Sequence, residues 1–373
     1  MIPCAVFPLL PTTIPIVRHI MNSSSEYAIT TLLSFPGTGV EGQDGSIVDC
    51  REPLGMNIQI DIKKEPYKWD CLLVFEHQET LQPRQNDQYT ERIIISALKM
   101  HKKVVCAKRL SLDAREHFKK VEADNHCQFI YLPFDWTSPS VKKVGALRRL
   151  HSFYVLFGSV INDTTSLDAC FSCVEMLSKT HRVSVVSTEE NTLMCGTKSL
   201  APIIHAQIPE IEKVYAINQY LADAEYERHP EITVVFLSEP MLAFDDTEPN
   251  GFGIIPFMLS KSMQTQMFIC SVPFSYQSQS FYKYLSDGVL HQYGYPIDGI
   301  CLSNILLDST SSAERKHISA VYMNNKFVDG SFHSTGATNG IPTYNTLNSN
   351  EKKRLVSEIE SAFSDYISSR VIP

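Results

Sequence analysis

Between an apolar, strand-like run ending at Gly158 and a helical stretch near Asp168 lies a segment with the position of a phosphate loop and little of its chemistry. Such a loop works through glycines that let backbone N–H groups converge on the anion, and through a lysine that reaches the terminal phosphates. Here the residues are Gly158-Ser159-Val160-Ile161-Asn162-Asp163-Thr164-Thr165-Ser166-Leu167-Asp168, with one glycine, no lysine and two carboxylates. A carboxylate at that place repels the ligand the loop would hold. Gly158, Asn162, Thr164, Thr165 and Ser166 stand as candidate ligand-binding residues. The hydroxyls can cap the following helix, or ligate Mg2+ should a nucleotide be held by other means. Capping is the stronger of the two readings.

Other strand ends carry further polar groups. Glu239, in Ser238-Glu239-Pro240, follows an apolar strand where phosphate-loop enzymes place the acidic residue that positions Mg2+ or water, and a solvated loop acid accounts for it equally well; Asp245 and Asp246 lie close by as a second ligand. With Asp168, Glu239 completes the metal-ligand candidates if Mg2+ binds at all. Asn250-Gly251-Phe252-Gly253 opens a helix with N–H groups that could meet an anion, or serves simply as a tight start to that helix. Ser303 and Asn304 follow the last strand, where a base or a substrate amide is often read. In the first half, Glu76 and His77 at a strand end form the one plausible acid/base pair, and a surface position without function is the stronger account of both. Cys170 and Cys173 lack a second pair at zinc spacing and share a helical period, which places them on a core-facing helix rather than on a metal. No Ser-His-Asp or Cys-His pattern with a nucleophile elbow is present.

These groups need strands to present them. In the first half, strand signals at 5–9, 27–34, 71–76, 103–107 and 128–132 alternate with helical spacing near 17–21, 91–100 and 113–122. Pro36-Gly37-Thr38-Gly39-Val40-Glu41-Gly42 forms a glycine-rich turn after the second strand. The alternation restarts with strands at 151–158, 182–188, 232–237, 267–272 and 299–304. An amphipathic helix over 209–227 carries Ile211, Val214, Tyr215, Asn218 and Leu221 on one face, and a C-terminal helix covers 351–368. Such a pattern predicts an α/β protein of two doubly wound, mostly parallel-sheet domains. The first, 1–138, is Rossmann-like; the second, 139–330, is P-loop-NTPase-like with a degenerate phosphate loop; a polar loop and helix fill 331–373.

Composition sets the outer bounds. The chain has 373 residues, 43% hydrophobic and 20% charged, with a formal net charge of −8. That charge argues against non-specific binding to nucleic acid or to an anionic membrane. Pro3, Pro8, Pro11 and Pro15 interrupt the apolar opening stretch, so no signal peptide is expected, and no window reaches the length of a membrane span. The expected location is the cytoplasm. A homo-oligomer is compatible with all of this.

Several stretches together resemble a known family. They are Val6-Phe7-Pro8, Gly39-Val40-Glu41-Gly42-Gln43-Asp44, Pro209-Glu210-Ile211-Glu212-Lys213-Val214 with Ile217-Asn218, His229 to Val235, Asn250 to Ile254, and Ile297 to Asn304. From about residue 5 to about residue 325 the chain resembles the peptide maturation system proteins, encoded beside a bacteriocin-like precursor peptide and a radical SAM enzyme. More distantly it resembles the DUF1611 group, which places a Rossmann-like domain before a P-loop domain and includes N-acyltransferases acting on D-glutamate. In both groups the loop corresponding to Gly158–Asp168 is more glycine-rich and usually carries a lysine, so this chain departs from them there. The resemblance implies an accessory role in making a ribosomally synthesised, modified peptide, with the precursor peptide and the radical SAM maturase as partners. The alternative is a nucleotide- or acyl-donor-dependent enzyme acting on the peptide or an amino acid, with a nucleotide and Mg2+ as its cofactors.

Overall fold

A computed structural model describes residues 1–23, 25–77, 83–133, 146–161, 165–243, 249–274, 279–308, 310–312, 319–332 and 340–370. Two compact units divide the chain: Met1–Phe134 with Glu190–Thr197, and Asp135–Glu189 with Lys198–Pro373. The first unit thus takes in a short segment from just past the midpoint of the chain.

In the first unit the strands are β1 (Ile2–Phe7), β2 (Tyr27–Leu33), β3 (Ile58–Gln59), β4 (Cys71–Val74), β5 (Lys103–Cys106) and β6 (Phe129–Tyr131). They pair in parallel in the order β3-β2-β1-β4-β5-β6. Helices α1 (Ile14–Asn22), α2 (Pro83–Lys99) and α3 (Leu112–Asn125) connect them. Cys71 to Val74 are wholly buried, as an inner strand covered on both faces requires. Local chemistry sets the helix ends. Ser111 caps α3 by accepting from the Ala114 N–H at 3.2 Å, and the helix stops at His126 in the left-handed conformation. The core gathers Phe7, Trp69, Phe118 and Phe129, and Phe7 meets Phe35 edge-on at 5.0 Å, a pair worth about 1 kcal/mol beyond its buried area.

In the second unit β7 (Phe153–Ser159), β8 (Val183–Ser187), β9 (Lys198–Ser199), β10 (Ile232–Phe236), β11 (Met267–Val272), β12 (Gly299–Leu302) and β15 (Thr343–Tyr344) form one sheet in the order β15-β12-β11-β7-β10-β8-β9. A separate antiparallel pair, β13 (Ile305–Leu307) and β14 (Ala320–Tyr322), follows β12 in the chain. The helices are α4 (Thr165–Leu177), α5 (Ala201–Ile204), α6 (Glu210–Arg228), α7 (Ile254–Ser262), α8 (Gln279–Tyr293), α9 (Asn325–Ser331) and α10 (Ser349–Arg370). Among the described residues every strand pair in the large sheet is parallel, so the two-sheet α/β expectation holds. The expected boundary at 138/139 lies outside the described residues. Along α6 the buried stripe is Val214, Ile217, Asn218, Leu221 and Ala224, whereas Ile211 is 61% exposed. Ile211 sits in the first turn, ahead of the point where the stripe meets the core.

Among the described residues no helix is long and apolar enough to cross a membrane.

Candidate functional site

In the first unit the chain leaves β1 toward β2 on one side and leaves β4 toward β5 on the other. The carboxyl ends of these two neighbours therefore bound a crevice at a topological switch point, where open α/β sheets bind ligands. The turn after β1 is not a pyrophosphate cradle. The Thr13 hydroxyl, fully buried, donates to the Pro8 carbonyl at 2.9 Å and accepts from the Leu10 N–H at 2.9 Å. The Leu9 N–H reaches Leu33 across the sheet and the Thr13 N–H returns to Leu10, so these donors are already committed.

The end of β4 carries charge instead. Glu76 accepts from the Lys108 ammonium at 2.9 Å and from the Arg109 N–H at 2.9 Å. Lys108 is 9% exposed and also reaches Asp87 at 3.0 Å. Arg109 donates to Glu190, and Asn191 pairs with the main chain of Glu76, accepting from its N–H at 2.5 Å and donating to its carbonyl at 3.0 Å. His77 is not at the surface as the sequence suggests but buried, 7% exposed, because the imidazole is enclosed with Thr90 and Asp87: its Nε2 is 3.3 Å from the Thr90 hydroxyl and 3.6 Å from Asp87. Thr90 donates to the Asn86 carbonyl, so its oxygen is left to accept and the neutral imidazole carries its proton on Nε2. Burial, and then the nearby Lys108 charge, hold His77 below the usual histidine range. Burial pushes the Glu190 carboxyl up, with Arg109 pulling it back. Glu76 and His77 thus stand together at the strand end, but their side chains face different partners. Asp87, Lys108, Arg109, Glu190 and Asn191 were not singled out from sequence; the Lys108-Arg109 doublet right after a strand was the one available signal.

In the second unit β7 is flanked by β10 and β11, and the crossover from β10 through α7 to β11 passes to the other side of β7. The loop after β7 therefore opens at a switch point of its own. Asn162, Asp163 and Thr164 lie outside the described residues, as do Asp245 and Asp246. Gly158 is inside the strand, where a Cβ would come within 3.0 Å of the Met241 sulfur and 3.3 Å of the Phe268 ring; it serves packing. Thr165 and Ser166 begin α4, both buried. The Thr165 hydroxyl donates to the Asn304 side chain at 3.3 Å, and Asn304 donates to the Met323 carbonyl at 3.0 Å. The Ser303 hydroxyl, wholly buried, accepts from the Ile305 N–H at 3.1 Å. Asp168, in the first turn of α4, pairs with the Lys352 ammonium of α10 at 3.2 Å, and Lys352 also donates to Ser172 at 2.8 Å.

Glu239 belongs to a different group: it accepts from Thr188 at 2.7 Å, and Thr188 accepts in turn from the Ser238 N–H at 2.9 Å. The Asn250 amide bridges the Val160 carbonyl at 3.2 Å and the Leu242 carbonyl at 2.9 Å. From Asn250 to Gly253 the backbone is left-handed throughout, with φ of 49°, 59°, 54° and 66°. A Cβ on Gly253 would overlap the Tyr293 hydroxyl and the Met241 carbonyl, so that glycine is a steric necessity. Structure therefore brings Thr165 and Asn304 together and keeps Glu239 and Asn250 in separate clusters.

Mg2+ and a nucleotide fit this arrangement poorly. The first-turn carboxylate is already neutralised by a lysine, and the hydroxyl that would ligate the ion donates to an amide. Among the described residues no group of three or more His, Cys, Asp or Glu side chains could hold a metal ion. Cys170 and Cys173 are fully buried on α4, and burial pushes the Cys173 thiol up to about 12 and holds that of Cys170 well above the usual thiol range; they pack as apolar side chains.

In fold the chain is similar to a DUF1611 family protein from Anabaena variabilis, with a TM-score of 0.58 at 11% identity over 98% of this chain and 100% of that one. At that identity the likeness speaks to fold alone. An apo-form GTPase from Pyrococcus abyssi aligns over 44% of this chain and 71% of its own length, with a TM-score of 0.27 and 11% identity, too loosely to carry an argument. No family model matches the sequence. No curated protein matches it.

Proposed function

We propose that the protein is an accessory in the maturation of a ribosomally synthesised, modified peptide, binding the precursor or the radical SAM enzyme that modifies it, in the cytoplasm and without turning over nucleotide. The sequence stretches that resemble the peptide maturation system proteins support the peptide. The ion pair between Asp168 and Lys352 carries the rest. A helix that opens beneath a phosphate loop keeps its amino end free for the anion. Here the first turn of α4 instead holds a carboxylate, and the lysine that meets it arrives from α10 and points to Asp168 and Ser172.

Differential stability tests the reading. The unfolding temperature of the full chain is expected to stay unmoved by Mg-ATP, Mg-GTP or an acyl-CoA, and to rise with the leader segment of the precursor peptide. A nucleotide-dependent rise that disappears in Thr165→Ala or Glu239→Ala would overturn it.

A second reading, an acyl-donor-dependent enzyme, draws on the first unit. There His77, held below the usual histidine range against Thr90 and Asp87, and Glu190, raised by burial against Arg109, stand in the strand-end cluster and supply the group types that general acid–base chemistry uses. Acyl transfer from an acyl-CoA to an amino acid or to the precursor, abolished in His77→Gln with the fold intact, would favour this reading over the first.

A further inference from the structure

The second unit has a cleft at the other end of its sheet, beside the amino ends of β7, β8 and β10, with a volume of about 780 Å3. That lies within the roughly 300–1,000 Å3 of ligand pockets. On a chain of net charge −8, this wall collects Arg148, Arg149, Arg182, His151 and His229. We infer that the cleft binds an acidic segment of a peptide; this rests on the peptide-handling reading above.

The segment that presents the arginines is irregular, yet buried groups fix it. Asn218, 4% exposed, accepts from the Arg148 N–H at 2.7 Å and donates to the Arg148 carbonyl at 3.1 Å. Glu225 accepts from the His151 N–H at 2.9 Å, the Ser152 N–H at 2.8 Å, the Ser152 hydroxyl at 2.6 Å and the Tyr154 hydroxyl at 3.0 Å. That carboxylate is therefore committed to holding the backbone. Arg182 is anchored through its Nε to the His229 carbonyl at 3.0 Å, and its guanidinium stands 3.8 Å from Glu231. Arg149 is exposed, and no hydrogen bond or ion pair ties it to the described residues. Guanidinium forks match carboxylates through two parallel hydrogen bonds.

The wall carries both signs. Asp223 faces Arg148 at 3.2 Å with both side chains more than half exposed, an exchangeable pair. A peptide brings carboxylates for Arg149 and Arg182 at separate points along one chain, with N–H donors between them for Asp223, whereas inorganic phosphate is a single compact anion. Tyr226, 81% exposed with its ring 6.1 Å from that of His229, adds an apolar surface for side chains. The carboxyl-end residues Thr165 and Glu239 line no part of this cleft, so occupancy there leaves them untouched.

Fluorescence anisotropy on the full chain tests the assignment with a labelled peptide alternating Glu and Ser, its Lys counterpart, and inorganic phosphate as competitor. The Glu peptide is expected to bind, to weaken as salt rises, and to bind about tenfold more weakly to Arg149→Ala/Arg182→Ala. Arg149→Lys/Arg182→Lys keeps the charge without the fork and falls between. Unfolding temperatures of these variants are expected to match the parent. The inference is overturned if the Glu peptide does not bind, if the double alanine variant binds it equally, or if phosphate displaces it as well as unlabelled peptide does. The precursor leader separates the two proposals. Equal binding to parent and double alanine variant removes the cleft and keeps peptide handling. Failure of the leader alone, with arginine-dependent binding of the Glu peptide, removes precursor handling and keeps the cleft.

Discussion

The carboxyl edges of the two sheets solve one architectural problem with opposite chemistry. In the first unit the strand ends carry ions: Lys108 lies between Glu76 and Asp87, and Arg109 faces the buried Glu190. In the second they carry mostly neutral groups: Thr165 on Asn304, and Thr188 between Ser238 and Glu239. Ions taken out of water need complete sets of partners, and losing one member strands a charge. A hydroxyl network loses about 1 kcal/mol when one member goes. The two edges should therefore differ in how steeply they respond to single substitutions and to pH.

The largest effect is expected from Lys108→Met. It leaves Glu76 and Asp87 facing each other, at about 2–3 kcal/mol; Asp87 is half-exposed, which keeps the loss below that of a fully buried pair. Trp69, buried in the first unit, reports this by fluorescence during urea unfolding in a Trp136→Phe background. The same variant removes a positive neighbour of His77, so that imidazole should titrate at higher pH in an NMR titration. In the second unit Asp168→Asn should cost less, about 1 kcal/mol, because Lys352 keeps its bond to Ser172 and some access to water. Thr165→Val leaves the Asn304 oxygen without that donor and should cost about as much or slightly less, followed by circular dichroism in urea. Costs of equal size at the two edges would break the contrast.

The pH response is the finest test. His77 is held below its ordinary value of 6.5, so its contribution to the first unit is complete above that pH and is lost as pH falls toward the folded value. Glu190 is raised above its ordinary 4.5, so its contribution is present below that value and lost as pH rises through the folded one. The two oppose each other in mildly acidic solution. His77→Gln should therefore flatten the decline of the urea midpoint below 6.5. Just past the glycine-rich turn after β2, Asp44 is partly buried, but hydrogen bonds from Ser46, Leu54 and Gly55 outweigh that and lower it to about 2. This staple is lost only as pH falls from 3.8 toward 2.

The sheets were legible because parallel strands covered on both faces read as unbroken apolar runs such as Ile232 to Phe236. The two-residue strands Lys198–Ser199 and Thr343–Tyr344 carry no period, and α8 opens on the mixed Gln-Ser-Phe-Tyr-Lys-Tyr, so neither was predicted. The candidate sites were legible to the same depth. Strand ends pointed to Glu76, His77 and Glu239, and Thr165 and Asn304 were each named without the contact between them. Lys352 reaches Asp168 from 184 residues away, and Glu190-Asn191 returns to the first unit from the second half of the chain. Partners of that kind are set by packing rather than by local pattern.

The proposed function requires that this fold handle a peptide without a phosphate cradle. Calorimetric titration of the precursor's leader segment into the full chain, with and without Mg-ATP, tests it most directly. The same binding isotherm in both conditions is the predicted result. Binding that requires Mg-ATP, or no binding in either condition, would contradict it.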